Sequence, residues 1–380
     1  MSTVQVRPCD SYDLPGLRPV VRECLERLEP AREGLVAGRR VLLKPNIISA
    51  RGAEAAVCTH PQVLRAVAEI ACEAGCEVVI ADEPGYARTA SPEQIHAAAG
   101  YAEACRDLPV TFDLLKRGGF RTVQVPSPLR LQEVLISNLV LDADLVINLC
   151  KCKTHQQMLF TGAVKNMFGA VAPRDRIRIH LLATFDAVSQ AIADVFSACP
   201  TRVNLMDGVI GMEGKGPSSG TPRKLGVVLA AEDAVALDAV AESLIGYAPG
   251  EVHVTTAAAH KGLGVAELAR IEVEGADLQG LRTRFKRPPG GVNRGFPAWL
   301  GRLMEGKLWV RPLVVRDKCT ACGACAAVCP AQAITIGNCA VIDSAACIEC
   351  FCCQEVCPQN AIDTRRSLLA RGILGSGGHS

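Results

Sequence analysis

The sequence predicts an α/β chain: a mostly parallel sheet with helices on both faces, followed by a small α+β domain rich in cysteine. Three observations predict it. Short apolar runs alternate with helical periodicities between residues 40 and 245. Such alternation builds crossover units, whose strands pair in parallel beneath two layers of helices. Eight of the nineteen cysteines fall into two copies of one spacing near the C-terminus. Between the two regions the chain loses regular pattern and gathers Lys and Arg. The boundaries read as an α/β domain over 1–280, a basic linker over 281–310, the cysteine-rich domain over 311–365 and a Gly/Ser-rich tail over 366–380.

The elements follow in order. Residues 40–43 form an apolar strand that ends at Lys44-Pro45-Asn46, the sequence of a strand entering a loop. Residues 61–73 have helical spacing, with Thr59 as N-cap and Gly75 past the end. Further strands are expected over 76–81, 143–149, 202–206 and 225–230, and helices over 184–196 and 233–245. Glu232, Asp233 and Asp238 sit where a helix dipole favours acids. In parallel sheets ligands gather at the carboxyl ends of the strands, and the polar motifs of this chain fall there. A short helix is expected near Trp299 to Met304 within the linker.

Composition excludes some classes. A formal net charge of +2 is no polyanion-binding surface, and 4% aromatics leave little for base stacking, so no nucleic-acid partner is expected. No apolar run reaches the roughly 18 residues of a membrane span, and the N-terminus has no signal-peptide pattern. The expected compartment is a reducing cytoplasm, where thiols serve as metal ligands or as small core hydrophobes. Oligomeric state is not legible.

The cysteine repeat is the strongest signal. Cys319, Cys322, Cys325 and Cys329 precede Pro330; Cys347, Cys350, Cys353 and Cys357 precede Pro358, each 28 positions after its counterpart. A cubane cluster needs four thiolates. Two-residue gaps let three sulfurs curl around one face, and the fourth cysteine crosses to the other cluster. One [4Fe-4S] cluster is therefore expected on Cys319, Cys322, Cys325 and Cys357, and a second on Cys347, Cys350, Cys353 and Cys329. Structural zinc uses paired C-x2-C units with four ligands per ion, which two triplets with trailing Cys-Pro fit poorly. Cys339 and Cys352 are left as bystanders, because only Cys353 lies 28 positions after Cys325. The stretch resembles the bacterial-type two-cluster ferredoxins, so the second domain is expected to be of the ferredoxin-type 2[4Fe-4S] kind.

A dense polar cluster begins at Asn148 and reaches Lys151, Lys153 and His155, and a second runs from Thr161 through Gly162 to Lys165 and Asn166. A helix is expected to open near Thr161. Lysines and helix N-termini both favour anions. Lys44-Pro45-Asn46, Thr59-His60-Pro61, Lys153-Thr154-His155, Thr161 to Asn166, Asp207-Gly208 and Met212 to Pro217 together resemble the domain of unknown function family 362. Members of that family often end in such a ferredoxin module. The resemblance implies an iron–sulfur redox protein and supplies no substrate. A shorter likeness, over His155, Gly162, Lys165 and His180, is to the nickel-dependent lactate racemases. It implies an acid/base histidine and a lysine that carries a nickel cofactor.

The expected catalytic residues are His155, whose ordinary pKa lies near neutrality, and Lys165. Lys44, Asn46, Lys153 and Asn166 are expected to hold a cofactor or a small anionic ligand. The loop 211–220, with Glu213 and Lys215, is expected to be a mobile cover. No phosphate-binding or dinucleotide glycine pattern stands at a strand–helix turn. Cys150 and Cys152 point to one face of a strand, as a metal or redox pair or as packing. Three functions remain open: a redox enzyme, an electron carrier or maturation factor docking a redox partner protein, and a metal-dependent isomerase.

Overall fold

The computed structural model describes residues 1–48, 52–84, 91–182, 184–199, 201–288 and 310–367. The α/β domain has strands β1 Ser2–Pro8, β2 Arg40–Lys44, β3 Glu77–Asp82, β4 Val110–Leu114, β5 Phe120–Gln124, β6 Glu133–Ser137, β7 Leu145–His155, β8 Leu159–Thr161, β9 Val203–Glu213, β10 Thr221–Ala231 and β11 Ile271–Gly275. Nine of these make one sheet in the order β11-β1-β10-β9-β7-β2-β3-β4, with β8 paired to the end of β7. From β9 to β4 every neighbour is parallel, as the alternating pattern predicts. β10 is antiparallel to both its neighbours. It follows β9 through a hairpin, which needs no crossover helix. Helices Phe185–Ala198 and Ala234–Leu244 contribute to the core on one face, and helices Leu14–Arg27 and Pro61–Glu73 to the core on the other.

Three expected strands are longer than their apolar centres. β7 runs on through Lys151, Lys153 and His155, which sequence alone places in a loop. The extension survives because β9 pairs alongside it and β8 folds back on its end. The N-cap of helix Pro61–Glu73 is His60, whose Nδ1 accepts from the Gln62 amide at 3.2 Å. The Thr59 hydroxyl is engaged elsewhere: it accepts from the Asn46 amide at 2.9 Å and donates to Leu149 O at 2.7 Å. Thr184 and Asp233, expected as the first residues of their helices, cap them instead.

The second domain pairs β12 Val310–Val314 with β15 Ile362–Arg366, and β13 Ile334–Ile336 with β14 Ala340–Ile342. Short helices Ala324–Val328 and Cys352–Val356 lie between the strands. The expected linker is no free strap over its first residues. Phe285 is buried, Lys286 O accepts from the Gly214 amide at 2.9 Å, and the Arg287 guanidinium lies 3.7 Å from the Tyr247 ring centroid. The remainder of the linker from 289 to 309, its expected helix, and the tail from 368 lie outside the described residues.

Candidate functional site at the junction of the two domains

The cysteine repeat is written in the backbone as well as in the residues. Ala321, Gly323 and Gln332 have positive φ, and so do Glu349, Phe351 and Asn360, each 28 positions on. Non-glycine residues rarely hold that conformation. Here the same left-handed turns recur in both loops. One cavity is lined by Cys319, Cys322, Cys325 and Cys357, and a second by Cys329, Cys347, Cys350 and Cys353. The Ala333 and Ala361 amides each point at the preceding ligand sulfur, Cys329 Sγ and Cys357 Sγ, at 3.2 Å. Each ring of four cysteines fits the donor set of a cubane, and amide hydrogen bonds to sulfur are among the features that tune such clusters. Cys339 and Cys352 line neither cavity.

Between the two domains lies a cleft of about 480 Å³. Lys44, Asn46, Lys165 and Asn166 line it, together with Asp82, Phe168, Arg176 and His180. Four of the six site residues expected in this domain therefore converge where β2 and β3 end. The opposite wall belongs to the cysteine-rich domain: Val328, Pro330, Cys352, Glu355 and Val356. Pro330 follows Cys329, and Cys352 precedes Cys353, so this wall is continuous with the second cysteine cavity.

Burial sets the electrostatics. Lys44 Nζ pairs with Asp82 Oδ1 at 2.6 Å, and both are buried. Desolvation pushes the Lys44 pKa down, and the Asp82 carboxylate opposes it. A Cβ on Gly169 would stand 2.7 Å from that Asp82 oxygen, so glycine admits the pair. Asn46 Nδ2 donates to Asn166 Oδ1 at 2.8 Å, Asn166 Nδ2 to Asn148 Oδ1 at 2.7 Å, and Asn148 Nδ2 to Asn204 Oδ1 at 2.8 Å. This amide chain fixes the floor of the cleft. Lys165 is only half-buried, and its Nζ faces the Phe168 ring at 6.0 Å. Burial lowers its pKa, with Glu355 pulling the other way.

Lys153 and His155 do not line the cleft; each stands one layer behind it. Lys153 Nζ donates to Asn46 Oδ1 and to Val57 O, and burial lowers its pKa to about 7. It props Asn46. His155 Nδ1 accepts from the Gln157 amide at 3.2 Å and the Met158 amide at 3.1 Å. The ring proton therefore sits on Nε2, which faces Glu355 Oε1 at 3.2 Å. Desolvation, reinforced by Lys165, lowers the His155 pKa to about 4, so the ring is neutral near pH 7. This places His155 behind the pocket that it was expected to line as a proton donor or acceptor. Burial would raise the Glu355 pKa, but His155, Lys165 and His180 together hold it at about 2.

Two more expectations change, and the open alternative at Cys150 and Cys152 falls to packing. The helix after Thr161 is short, Ala163–Asn166, and its first amides are taken by a carboxylate of the chain itself. Asp238 accepts from the Ala163 amide at 2.6 Å and the Val164 amide at 3.0 Å. A side chain at Gly162 would collide with Asp238, so this anion site is filled from within. The loop 211–220 holds the cysteine-rich domain rather than covering a ligand. Lys215 Nζ pairs with Asp363 at 2.6 Å, Ser219 donates to Asn360 at 2.7 Å, and buried Glu213 accepts from the Lys286 amide at 2.9 Å. Cys150 and Cys152 are wholly buried in apolar core, and desolvation raises both thiol pKa values, Cys152 to about 12. Sequence reasoning missed Thr161, Arg176 and Glu355 as cleft residues. It set His180 beside Lys165 only through the racemase likeness, and the cleft contains both.

Comparisons with known proteins identify both parts of the chain. The family described as Domain of unknown function (DUF362) matches residues 41–243, and the 4Fe-4S binding domain matches residues 312–335. Cys319, Cys322, Cys325 and Cys329 lie inside the second match, which shows [4Fe-4S] binding. The thylakoid-associated protein sll1697 of Synechocystis sp. (strain ATCC 27184 / PCC 6803 / Kazusa) is 30% identical over 267 residues, covering 70% of this chain and 80% of its own. The lactate racemase apoprotein from Thermoanaerobacterium thermosaccharolyticum superposes on 65% of this chain and 58% of its own, with a TM-score of 0.41 and 14% identity. No helix among the described residues is long and apolar enough to cross a membrane.

Proposed function

The chain belongs to the DUF362 family and carries a [4Fe-4S] binding domain, and on that premise we propose an iron–sulfur oxidoreductase whose two clusters exchange electrons with a ligand in the interdomain cleft. One observation carries this reading: the helix that brings Cys353 to the second cavity also presents Cys352, Glu355 and Val356 to the cleft. A ligand there is separated from a cluster by a single layer of side chains. The first cavity faces outward through exposed Cys322, which suits it to meet a redox partner protein. Each cubane, when bound, supplies one electron at a time. The remaining work falls to this chain. Lys165 attracts an anionic group, Asn46 and Asn166 hold the floor, and the wall of the second domain excludes water.

A pure carrier docking through the Lys151 to His155 stretch is less well supported, because Lys151, Lys153 and His155 are buried. A metal-dependent isomerase keeps one observation in its favour: Lys165 and His180 both approach the Phe168 ring in the same cleft. Nickel in the purified protein would establish it. A reducing compartment fits all nineteen cysteines, none of which forms a disulfide. Anaerobic purification tests the main reading. We expect about eight iron and eight acid-labile sulfide per chain, with visible absorbance that bleaches on dithionite. A folded, active protein that contains zinc and no iron overturns it.

A further inference from the structure

Accepting the cleft as the ligand site of that redox reading, we infer that its ligand is a monocarboxylate with an apolar body, its carboxylate held by Lys165 and Thr161. The first argument is charge. Four cations line the cleft, Lys44, Lys116, Lys165 and Arg176, against three carboxylates, Asp82, Glu83 and Glu355. Four minus three leaves one positive charge, because burial keeps His180 neutral, with a pKa of about 4. Lys44 is matched by Asp82 at 2.6 Å and Lys116 by Glu83 at 3.5 Å. Arg176 is spent on main-chain oxygens of Gly169, Val171 and Glu83. Among the described residues no carboxylate lies within 4.0 Å of Lys165 Nζ, the cation left to bind an anion. A single surplus charge matches a carboxylate better than a phosphate dianion.

The second argument is an unmet hydrogen bond. Thr161 is 1% exposed, lines the cleft, and its Oγ1 has no partner among the described residues. His180 Nδ1 is likewise unpartnered. Buried polar atoms in native proteins are almost always paired, so these two point to a ligand with oxygen acceptors. The third argument is shape. Phe168 is half-buried and Ile177 is 37% exposed in the cleft, and Val328 and Val356 face them from the second domain. An apolar body laid there covers hydrophobic surface that water otherwise meets.

Cinnamate, cinnamamide and acetate are the probes, titrated calorimetrically into the anaerobically purified, full-length chain with its clusters in place. Cinnamate should bind at least about tenfold more tightly than cinnamamide, which lacks the charge, and than acetate, which lacks the body. Lys165→Ala should weaken cinnamate about tenfold and leave cinnamamide unchanged, and Lys165→Arg should retain binding. Thr161→Val should cost about threefold. Equal binding of acid and amide, an unchanged acid affinity in Lys165→Ala, or no cinnamate binding at millimolar concentration overturns the inference. Spectra of the dithionite-reduced clusters, taken on the same samples, separate it from the reading beneath it. Tight, charge-selective binding that leaves the cluster signals untouched sinks the redox reading and keeps the carboxylate site.

Discussion

The two halves of the cysteine repeat share spacing, helix length and left-handed turns, yet they live in different surroundings. In the first half the helix reads Ala-Cys-Ala-Ala-Val, Ala327 is exposed and Cys322 reaches solvent. In the second it reads Cys-Cys-Gln-Glu-Val, and Cys352, Cys353, Gln354 and Val356 are buried. Glu355 occupies the position of Ala327 and faces His155. The Gln354 carbonyl accepts from the Ser218 hydroxyl at 3.3 Å, and Phe351, where the first half has Gly323, is 6% exposed. The difference teaches how a symmetric cluster unit becomes a directed one. Cysteine spacing is duplicated, while a few substitutions on one helix decide which half touches the cleft and which faces solvent.

Three measurements can break or sharpen that contrast. The largest effect is on iron. Cys325→Ala and Cys353→Ala should each lower it below about eight per chain, while Cys352→Ala, despite its neighbour, should hold both clusters. A Cys352→Ala protein that loses a cluster while Cys353→Ala keeps both would overturn the register. Next comes the carboxylate that distinguishes the halves. Glu355→Ala should cost about 1–3 kcal/mol, since it strips buried His155 of the carboxylate that faces its Nε2. Ala327→Glu, its mirror in the exposed half, should stay within about 0.5 kcal/mol. Thermal midpoints of the two variants test this, and equal shifts would mean that docking is not what makes the halves differ.

The smallest effect concerns pH. His155 uses Nδ1 to accept two amides, so its neutral form belongs to the folded state and its pKa falls from 6.5 to about 4. Below pH 6.5 the unfolded chain takes up a proton that the folded chain refuses. The contribution is therefore complete above pH 6.5 and is lost as pH falls toward 4. His60 and His180, also lowered to about 4, act in the same direction. At pH 5 the His155 share is at most roughly 2 kcal/mol. Between pH 7 and pH 5 the thermal midpoint should fall further in the native protein than in His155→Gln. Identical falls would show that His155 takes up its proton in the fold as readily as in the unfolded chain.

The α/β order was readable because crossover units impose it: apolar runs of strand length alternate with helical periodicity from β2 to β10. The ends were less readable. Lys151 and Lys153 look like loop residues until Asp207, 2.7 Å from Lys151 Nζ, and Asn46 are known to receive them. The convergence of Lys44, Asn46, Lys165 and Asn166 followed from strand ends sharing one edge. The position of His155 was not legible, because a histidine reads alike facing a cleft or standing behind it.

The sequence by itself determined which cysteines gather around each of two cavities, and the parallel core, because each follows from spacing along a short stretch of chain or from strand periodicity. Only the tertiary structure decided that Asp238 fills the helix start after Gly162, that loop 211–220 clasps the second domain, and that Glu355 faces Lys165 across the cleft. Those contacts join residues far apart in the chain. Their energies come from desolvation, which depends on what folds over a group and not on its neighbours in sequence.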